Sequence, residues 1–191
     1  MKKKPIVATT GHFHAVRFYK DADGLSAIVA DFLVEGFAKD QPAVVIATPL
    51  HRAAIEAQLT RRGADVSQLI QDRSLLILDA HETLNAFMVD GMPDSSLFTE
   101  TIGPMIREAG GGRPDCVVRA YGEMVDVLWK DGQTVAATRL ETLWNALANS
   151  HAFSLLCGYS MGNFYKNAAV EEICNHHSHV ISERGEATLM N

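Results

Sequence analysis

The chain has 191 residues, of which 47% are hydrophobic and 21% are charged, and its formal net charge at pH 7 is −6. These values exclude a disordered or fibrous protein, and the acidic balance argues against direct binding to nucleic acid, which requires a basic surface. The apolar runs are far shorter than the roughly 20 residues of a membrane span, and the first residues do not resemble a secretory signal. We therefore expect a cytoplasmic protein with no membrane partner.

Five short apolar segments, bounded by polar, glycine or proline residues, are typical of buried strands. Several are apolar at successive positions, which is the pattern of a parallel sheet covered on both faces. The segments are residues 14–19, 43–48, 75–79, 116–121 and 153–159.

Between these strands, apolar residues recur at helical spacing. The helices predicted from this spacing are residues 25–37, 50–62, 98–109 and 135–147. Asp21 or Asp23 is available to cap the first of them. Strands that alternate with helices predict an α/β fold, a three-layer sandwich around a mostly parallel sheet.

Residues 87–98 place methionine and phenylalanine in a segment that also contains glycine and proline. This composition fits a deformable lid over an apolar ligand. It fits equally well a loop that is held in place by its own hydrophobic side chains.

The C-terminal part of the chain carries apolar residues at helical spacing from residue 164 to about residue 181. They predict an amphipathic helix that packs on the sheet or projects to a partner, and the polar tail 182–191 is expected to fray. We therefore expect a main domain over residues 12–164, followed over residues 165–191 by this helix and tail.

Gly158, Ser160 and Gly162 match the G-x-S-x-G pattern of hydrolase nucleophiles and lie between a strand and a helix. Such a serine needs an acid and a histidine that follow it in the chain, and no aspartate follows Gly162. We favour a small-residue turn after a buried strand and predict no catalytic residue. A hydrolase through Ser160 stays the alternative.

No phosphate-binding loop of the usual patterns occurs in the chain. Asp21 and Asp23 occupy the first strand-to-helix junction, where their carboxylates would repel a phosphate from the helix N-terminus. Nucleotide hydrolysis is therefore not expected, and residual nucleotide binding stays a second alternative.

The three cysteines are widely spaced and are expected to be reduced thiols. Cys174 and His177 could share a helix face as metal ligands, together with His176 and His179. No second ligand pair at conventional spacing is evident, so we favour solvated imidazoles on a surface helix. We expect neither a metal nor another cofactor. His14 either faces a pocket or is a satisfied core histidine.

Arg119 lies within a predicted buried strand, where an arginine is costly unless a carboxylate pairs with it. Glu123 and Glu141 are the candidate partners. A structural ion pair and a ligand-binding role for Arg119 are both open. Aromatic residues near the strand ends line an apolar cavity or pack in the core. They are Tyr121, Trp129, Trp144 and Tyr159.

The Tyr-Gly-Glu-Met-Val string at residues 121–125 and the Leu-Leu-Cys-Gly-Tyr string at residues 155–159 are the most specific of several motifs that resemble the MEDS domain. This sensory domain is named after the regulator DcmR of methanogens and methylotrophs, and the resemblance covers about residues 12–164. It implies a RecA/KaiC-like core whose phosphate loop has degenerated. It also implies a non-catalytic sensor of small hydrocarbon derivatives that is coupled to a histidine kinase or a regulator.

We therefore expect a small, mostly apolar ligand at the carboxyl ends of the strands and a signal relayed to a partner protein. A homodimer is left open, as is an interaction scaffold that docks through helix 164–181 without a ligand. The expected polar anchors are His14, Tyr19, Arg119, Tyr121 and Glu123, and the expected walls are Trp129, Trp144 and Tyr159.

Overall fold

The computed structural model describes residues 13–113, 115–163 and 167–190. Within this part of the chain the strands of the main sheet are β1 (His14–Tyr19), β2 (Ala43–Ala47), β3 (Leu75–Asp79), β6 (Val118–Gly122), β7 (Phe153–Ser160), β8 (His179–Ile181) and β9 (Ala187–Leu189), while β4 (Met88–Val89) and β5 (Met92–Pro93) pair separately. The helices are α1 (Ala22–Phe37), α2 (Pro49–Arg61), α3 (Val66–Gln71), α4 (Ala80–Asn85), α5 (Ser95–Ala109), α6 (Met124–Lys130), α7 (Thr134–Leu147) and α8 (Asn167–Cys174), and a 3₁₀ turn spans Met161–Asn163.

The main sheet has the order β3-β2-β6-β7-β1-β8-β9. Every neighbouring pair is parallel except β8 and β9. One face packs against α1, α2 and α3, and the other against α4 to α7. We call these the α1 face and the α7 face. The α/β three-layer prediction is confirmed, and the predicted strands coincide with β1, β2, β3, β6 and β7 to within two residues at each end.

The start of α1 shows which of the two predicted caps is used. Asp21 has an extended backbone, and its carboxylate accepts a hydrogen bond from the Gly24 N–H at 2.7 Å. An N-cap of this kind stabilises a helix by about 1 kcal/mol. Asp23 is exposed in the first turn, where its charge favours the helix dipole.

Residues 87–98 contain a short hairpin at the place where the sequence predicted a lid or a held loop. Asp90 and Gly91 both have positive φ, as a two-residue hairpin turn requires. The buried Phe87 and Phe98 rings meet edge to face at 5.2 Å. The hydrophobic side chains therefore hold this segment against the α7 face.

The prediction of an amphipathic helix that reaches residue 181 is wrong in its second half. α8 ends at Cys174, and Ala15 and Val16 of β1 pair in parallel with His179 and Val180 of β8. Val180 and Ile181 are β-branched, and the free edge of β1 offers their backbone hydrogen-bond partners. The tail expected to fray contains β9, which pairs with β8 across a turn that holds Gly185 at φ 77°.

Helix α6 was not predicted as a separate element. Almost all of its residues are buried, so it lacks the polar face that marks an amphipathic helix in a sequence. Among the described residues, no helix combines the length and apolarity that crossing a membrane requires.

Candidate functional site

The eight predicted site residues do not form one site, because successive residues of a strand point to opposite faces of the sheet. Tyr19, Tyr121 and Glu123 come together at the carboxyl edge. His14 and Tyr159 lie on the α7 face, and Arg119 is buried against α1, away from both groups. The two tryptophans pack in the core of the α7 face.

Glu123 directly follows β6 and is almost fully buried. Its carboxylate accepts hydrogen bonds from the Thr48 N–H, from His51 Nδ1 at 2.5 Å and from the Tyr121 hydroxyl at 3.1 Å. Burial alone would raise the pKa of Glu123, but the hydrogen bonds and the charge of His51 outweigh it and hold that pKa below its ordinary value. This carboxylate is held as an anion by groups from two parts of the chain, the start of α2 and the end of β6.

Asp126, in the first turn of α6, organises the other half of the edge. It accepts hydrogen bonds from the Tyr19 hydroxyl at 2.8 Å and from the Ser160 N–H at 2.9 Å, and Lys130 Nζ lies 2.6 Å from it. Burial and the nearby Asp126 raise the pKa of Tyr19. The Tyr19 ring also meets the His51 ring edge to face at 5.5 Å, so the two halves touch.

We call these six residues the strand-edge cluster. They are Tyr19, His51, Tyr121, Glu123, Asp126 and Lys130. The sequence predicted only three of them. The spacing of Asp126 and Lys130, one helical turn apart, was the signal that could have found that pair, whereas His51 depends on the register between β2 and β6.

The strand-edge cluster leaves little room for a phosphate. Glu123 already accepts the hydrogen bond of the N–H of Thr48, which is the N-cap of α2. Asp21 caps α1. Free N–H groups at helix starts are what bind phosphates in sheets of this type. Two buried carboxylates at the same edge add repulsion toward an anion.

A second group, which we call the buried cluster, lies on the α7 face. It consists of His14 on β1, Glu141 on α7, Cys157 on β7 and His177 after α8, all buried. His14 Nε2 lies 3.1 Å from Glu141 Oε2 and 3.3 Å from Cys157 Sγ, and His177 Nε2 lies 3.4 Å from Glu141 Oε1. The prediction of a solvated imidazole for His177 is wrong, because the turn after α8 places this side chain in the core beside β1.

The Tyr159 hydroxyl completes the surroundings of the buried cluster by donating to Glu141 at 2.7 Å. Burial alone would raise the pKa of Glu141, but the two histidines beside it lower that pKa well below its ordinary value. Burial and the neighbouring His177 lower the pKa of His14, and burial raises the pKa of Cys157. Glu141 is therefore a carboxylate, and Cys157 is a thiol.

Arg119 corrects a second expectation, since neither Glu123 nor Glu141 pairs with it. Its Nε donates to Gln41 Oε1 at 2.7 Å, and the nearest carboxylate is that of Glu35 at 3.9 Å. The guanidinium lies 4.8 Å from the centre of the Phe32 ring. Arg119 points to the α1 face near the start of β6, whereas Glu123 lies at the opposite end of that strand.

Trp144 meets the rings of Phe98 and Phe153, at 5.3 and 5.7 Å, and Trp129 meets the ring of Tyr159 at 5.9 Å. All five rings are buried in the core of the α7 face. These contacts show core packing for both tryptophans. A cavity of about 560 Å³ lies elsewhere, beside His14, Asn145 and His177.

Ser160 ends β7, and its Oγ makes no hydrogen bond to a histidine among the residues that the structure describes. Gly158 of the same pattern has a packing role, because a Cβ there would lie 2.8 Å from the Tyr121 hydroxyl. The close approach of β6 and β7 thus accounts for Gly158 of the G-x-S-x-G match.

Comparisons with known proteins agree with this architecture. The crystal structure of the KaiC-like protein PH0186 from the hyperthermophilic archaeon Pyrococcus horikoshii OT3 matches with a TM-score of 0.59 and 13% identity, over 88% of this chain and 70% of that one. At this identity the likeness shows the fold alone, which is RecA/KaiC-like as expected. No curated protein matches the chain. The family model described as MEthanogen/methylotroph, DcmR Sensory domain matches residues 13–178, and the chain therefore belongs to the MEDS family of sensory domains.

Proposed function

We propose that this domain senses a small, mostly apolar and uncharged molecule at the strand-edge cluster and relays its presence to a partner protein. The observation that carries the proposal is the pair of buried carboxylates, Glu123 and Asp126, at the carboxyl edge of the sheet. Open α/β sheets bind their ligands at this edge. Two anions there disfavour a phosphate and favour a neutral molecule that can donate a hydrogen bond.

The same edge places apolar ring atoms beside the polar atoms. The Tyr19 and Tyr121 rings carry the hydroxyls that donate to the two carboxylates, and the Lys130 side chain is partly exposed. A ligand with one donor group and a short hydrocarbon part fits this mixture of groups. In this proposal the domain needs neither a catalytic residue nor a nucleotide.

The hydrogen bond from the Ser160 N–H to Asp126 supports a route for the signal. Ser160 is the last residue of β7, and the 3₁₀ turn follows it at once. A ligand that draws Tyr19 or Lys130 away from Asp126 would alter the support of this junction. Such a ligand can shift the equilibrium between two conformations of the junction only by the difference in its affinity for them.

The sensory role of the family supports a partner protein, such as a histidine kinase or a regulator. In this proposal the partner recognises the junction after β7, and a second copy of the chain is one such partner. Measuring the molar mass in solution, with and without ligand, tests the homodimer.

Nuclear magnetic resonance of the ¹⁵N-labelled chain tests the binding site. We expect 1-propanol, acetamide or 1-chlorobutane to shift the amide signals of Thr48, Glu123 and Ser160 in a saturable way. Tyr19→Phe should weaken this response several-fold, because it removes the hydroxyl that Asp126 accepts from. Thr99→Val, which removes an exposed hydroxyl on α5, is the control and should leave the response unchanged.

Two results would contradict the proposal. One is saturable shifts that map away from the carboxyl edge. The other is an equal response of the Tyr19→Phe and wild-type proteins.

A further inference from the structure

The buried cluster brings four metal-ligating side chains from four separate parts of the chain to one point. One ligand atom from each of His14, Glu141, Cys157 and His177 can be chosen so that all four lie within 4.8 Å of one another. The measured separations include 3.1, 3.3 and 3.4 Å, and Cys157 Sγ lies 3.7 Å from Glu141 Oε2. A tetrahedral ion with bonds of about 2.0–2.3 Å has ligand atoms about 3.3–3.8 Å apart. Three of these four separations therefore lie in the range that such an ion requires, and the separation of His14 Nε2 from Glu141 Oε2 is slightly shorter.

Hydrogen bonds on the outer side of each imidazole fix which nitrogen faces the cluster. His177 Nδ1 lies 2.7 Å from the Ile173 carbonyl oxygen, which can only accept, so Nδ1 carries the proton. Asn145 donates its amide to the His176 carbonyl, so its oxygen faces His14 and accepts from Nδ1 at 2.9 Å. In the neutral imidazoles both Nε2 atoms then present lone pairs to the cluster, as metal ligands do.

These lone pairs meet a carboxylate, and the described residues supply no fixed positive charge to balance it. Among the described side chains only the two histidines lie within ion-pair distance of Glu141, and in the neutral tautomers above neither of them carries a charge. His177 Nε2 is fully buried and makes no hydrogen bond. A cation among the four ligand atoms would satisfy the unpartnered nitrogen and the carboxylate at the same time.

We propose that His14, Glu141, Cys157 and His177 bind one divalent transition-metal ion, with Zn²⁺ as the best fit. Two imidazoles, one thiolate and one carboxylate are a ligand set that Zn²⁺ accepts in tetrahedral geometry. Mg²⁺ and Ca²⁺ prefer oxygen ligands and are disfavoured by the sulfur and the two nitrogens. The Cys157 thiol loses its proton to solvent when the metal–sulfur bond forms.

The surroundings match those of known metal sites. The hydrogen bonds from the histidines to Asn145 and Ile173, and from the Tyr159 hydroxyl to Glu141, orient the ligands from outside. The surface depression of about 560 Å³ is lined by both histidines, so this side of the cluster lies next to solvent. The strand-edge cluster does not contribute to this site, so the inference stands apart from the proposed function.

Metal binding has a structural consequence for the C-terminal part of the chain. Three ligands come from β1, α7 and β7, but His177 precedes β8 by two residues. The ion would fasten the segment that leads into β8 to the central strands. We expect loss of the metal to loosen β8 and β9 before the rest of the sheet.

The test uses the full chain, treated with a chelator and then titrated with Zn²⁺ or Co²⁺ alone. Calorimetry should give one Zn²⁺ per chain. Co²⁺ should give the visible and near-ultraviolet absorption of a tetrahedral site that contains a thiolate. Cys157→Ser should abolish the sulfur-to-cobalt band, and His177→Ala should weaken Zn²⁺ binding at least 10-fold.

Matched controls separate this site from adventitious binding. Cys174→Ser and His176→Ala change the same residue types in the same region and should leave both signals unchanged. Asn145→Ala removes an orienting hydrogen bond without removing a ligand, and it should weaken Zn²⁺ binding about 10–100-fold. This variant keeps the proposal testable if a ligand variant fails to fold.

The proposal is overturned if the wild-type chain binds neither Zn²⁺ nor Co²⁺. It is also overturned if Co²⁺ binds without the sulfur band, or if the Cys174→Ser control loses that band while Cys157→Ser keeps it. Hydrogen exchange gives an independent readout, since Zn²⁺ should slow exchange in residues 179–189 more than in β2.

Discussion

The buried charged side chains of this protein differ in how many of their polar atoms have a hydrogen-bond partner. The Glu123 carboxylate receives three hydrogen bonds, from a backbone N–H, an imidazole and a hydroxyl. Arg119 is equally buried, but only its Nε is hydrogen-bonded, and its two terminal nitrogens have no hydrogen-bond partner among the residues that the structure describes. An unsatisfied buried donor costs about 1–3 kcal/mol. The ring of Phe32 and the distant carboxylate of Glu35 offset that cost only in part.

Glu123 therefore makes the stability of the fold depend on pH. Its pKa is lowered in the folded state, so its contribution is fully present above the ordinary value of 4.5 and is lost as the pH falls through the folded pKa. Glu123→Gln should lower the free energy of unfolding at neutral pH by about 1–3 kcal/mol, because it replaces a charged hydrogen-bond acceptor. It should also flatten the fall in stability below pH 4.5. Urea unfolding across this range measures both effects.

Glu100→Gln is the control for this prediction, since Glu100 is exposed on α5. It should leave the pH profile of the wild-type protein unchanged. Parallel profiles for the wild-type and Glu123→Gln proteins would show that Glu123 titrates normally in the folded state.

At the scale of the secondary-structure elements, α1 approaches the sheet closely at one glycine. Gly36 lies in the last turn of α1, where a Cβ would be 2.5 Å from Cγ of Arg119 on β6. The absence of a side chain on Gly36 is what allows the arginine stem to pass between helix and strand. The buried Arg119 and the glycine of α1 are thus two parts of one packing arrangement.

Gly36→Ala should consequently destabilise the protein although alanine is the better helix former. The added methyl must displace the buried stem of Arg119, and overpacking of this kind costs about 1–3 kcal/mol. Gly103→Ala is the control within α5, because its Cβ would meet only the tips of His151 and Arg107. Thermal unfolding should show a lower Tm for Gly36→Ala and a nearly unchanged or higher Tm for the control. Equal Tm values for the two variants would refute the packing argument.

The C-terminal elements show why local pattern fails near a free sheet edge. Val170 and Ile173 belong to α8, and the helical spacing continues through His177 to Val180 and Ile181. The chain nevertheless turns and adds β8 to the sheet, where the pairing also gives partners to backbone groups at the edge of β1 that a helix would leave unpaired. Spacing within a segment does not contain this information.

At the scale of the whole molecule, the layers of the fold could be predicted from the sequence, whereas the residues that meet in its two clusters could not. Runs such as residues 43–47 are apolar throughout, since both faces of the strand are covered, and that pattern is visible without a structure. The partner of Arg119 and the meeting of His14 with His177 depend on strand order and on the face that each residue occupies. Both clusters therefore join residues that are more than 70 positions apart in the chain, such as Thr48 with Glu123 and His14 with Glu141.

The RecA/KaiC-like fold makes nucleotide binding the strongest alternative at this scale, and the geometry of the carboxyl edge opposes it. Asp21 accepts from the Gly24 N–H of α1 and Glu123 accepts from the Thr48 N–H at the start of α2, so an incoming triphosphate meets a carboxylate at each helix start. Mg²⁺-ATP should therefore leave the Tm of the chain unchanged at millimolar concentration. A nucleotide present at 100 times its Kd would add roughly 2.7 kcal/mol of stability, or about 5–10 °C for a chain of this size. A rise of that extent that also grows with ATP concentration would mean that the strand-edge cluster accommodates a nucleotide despite its charge.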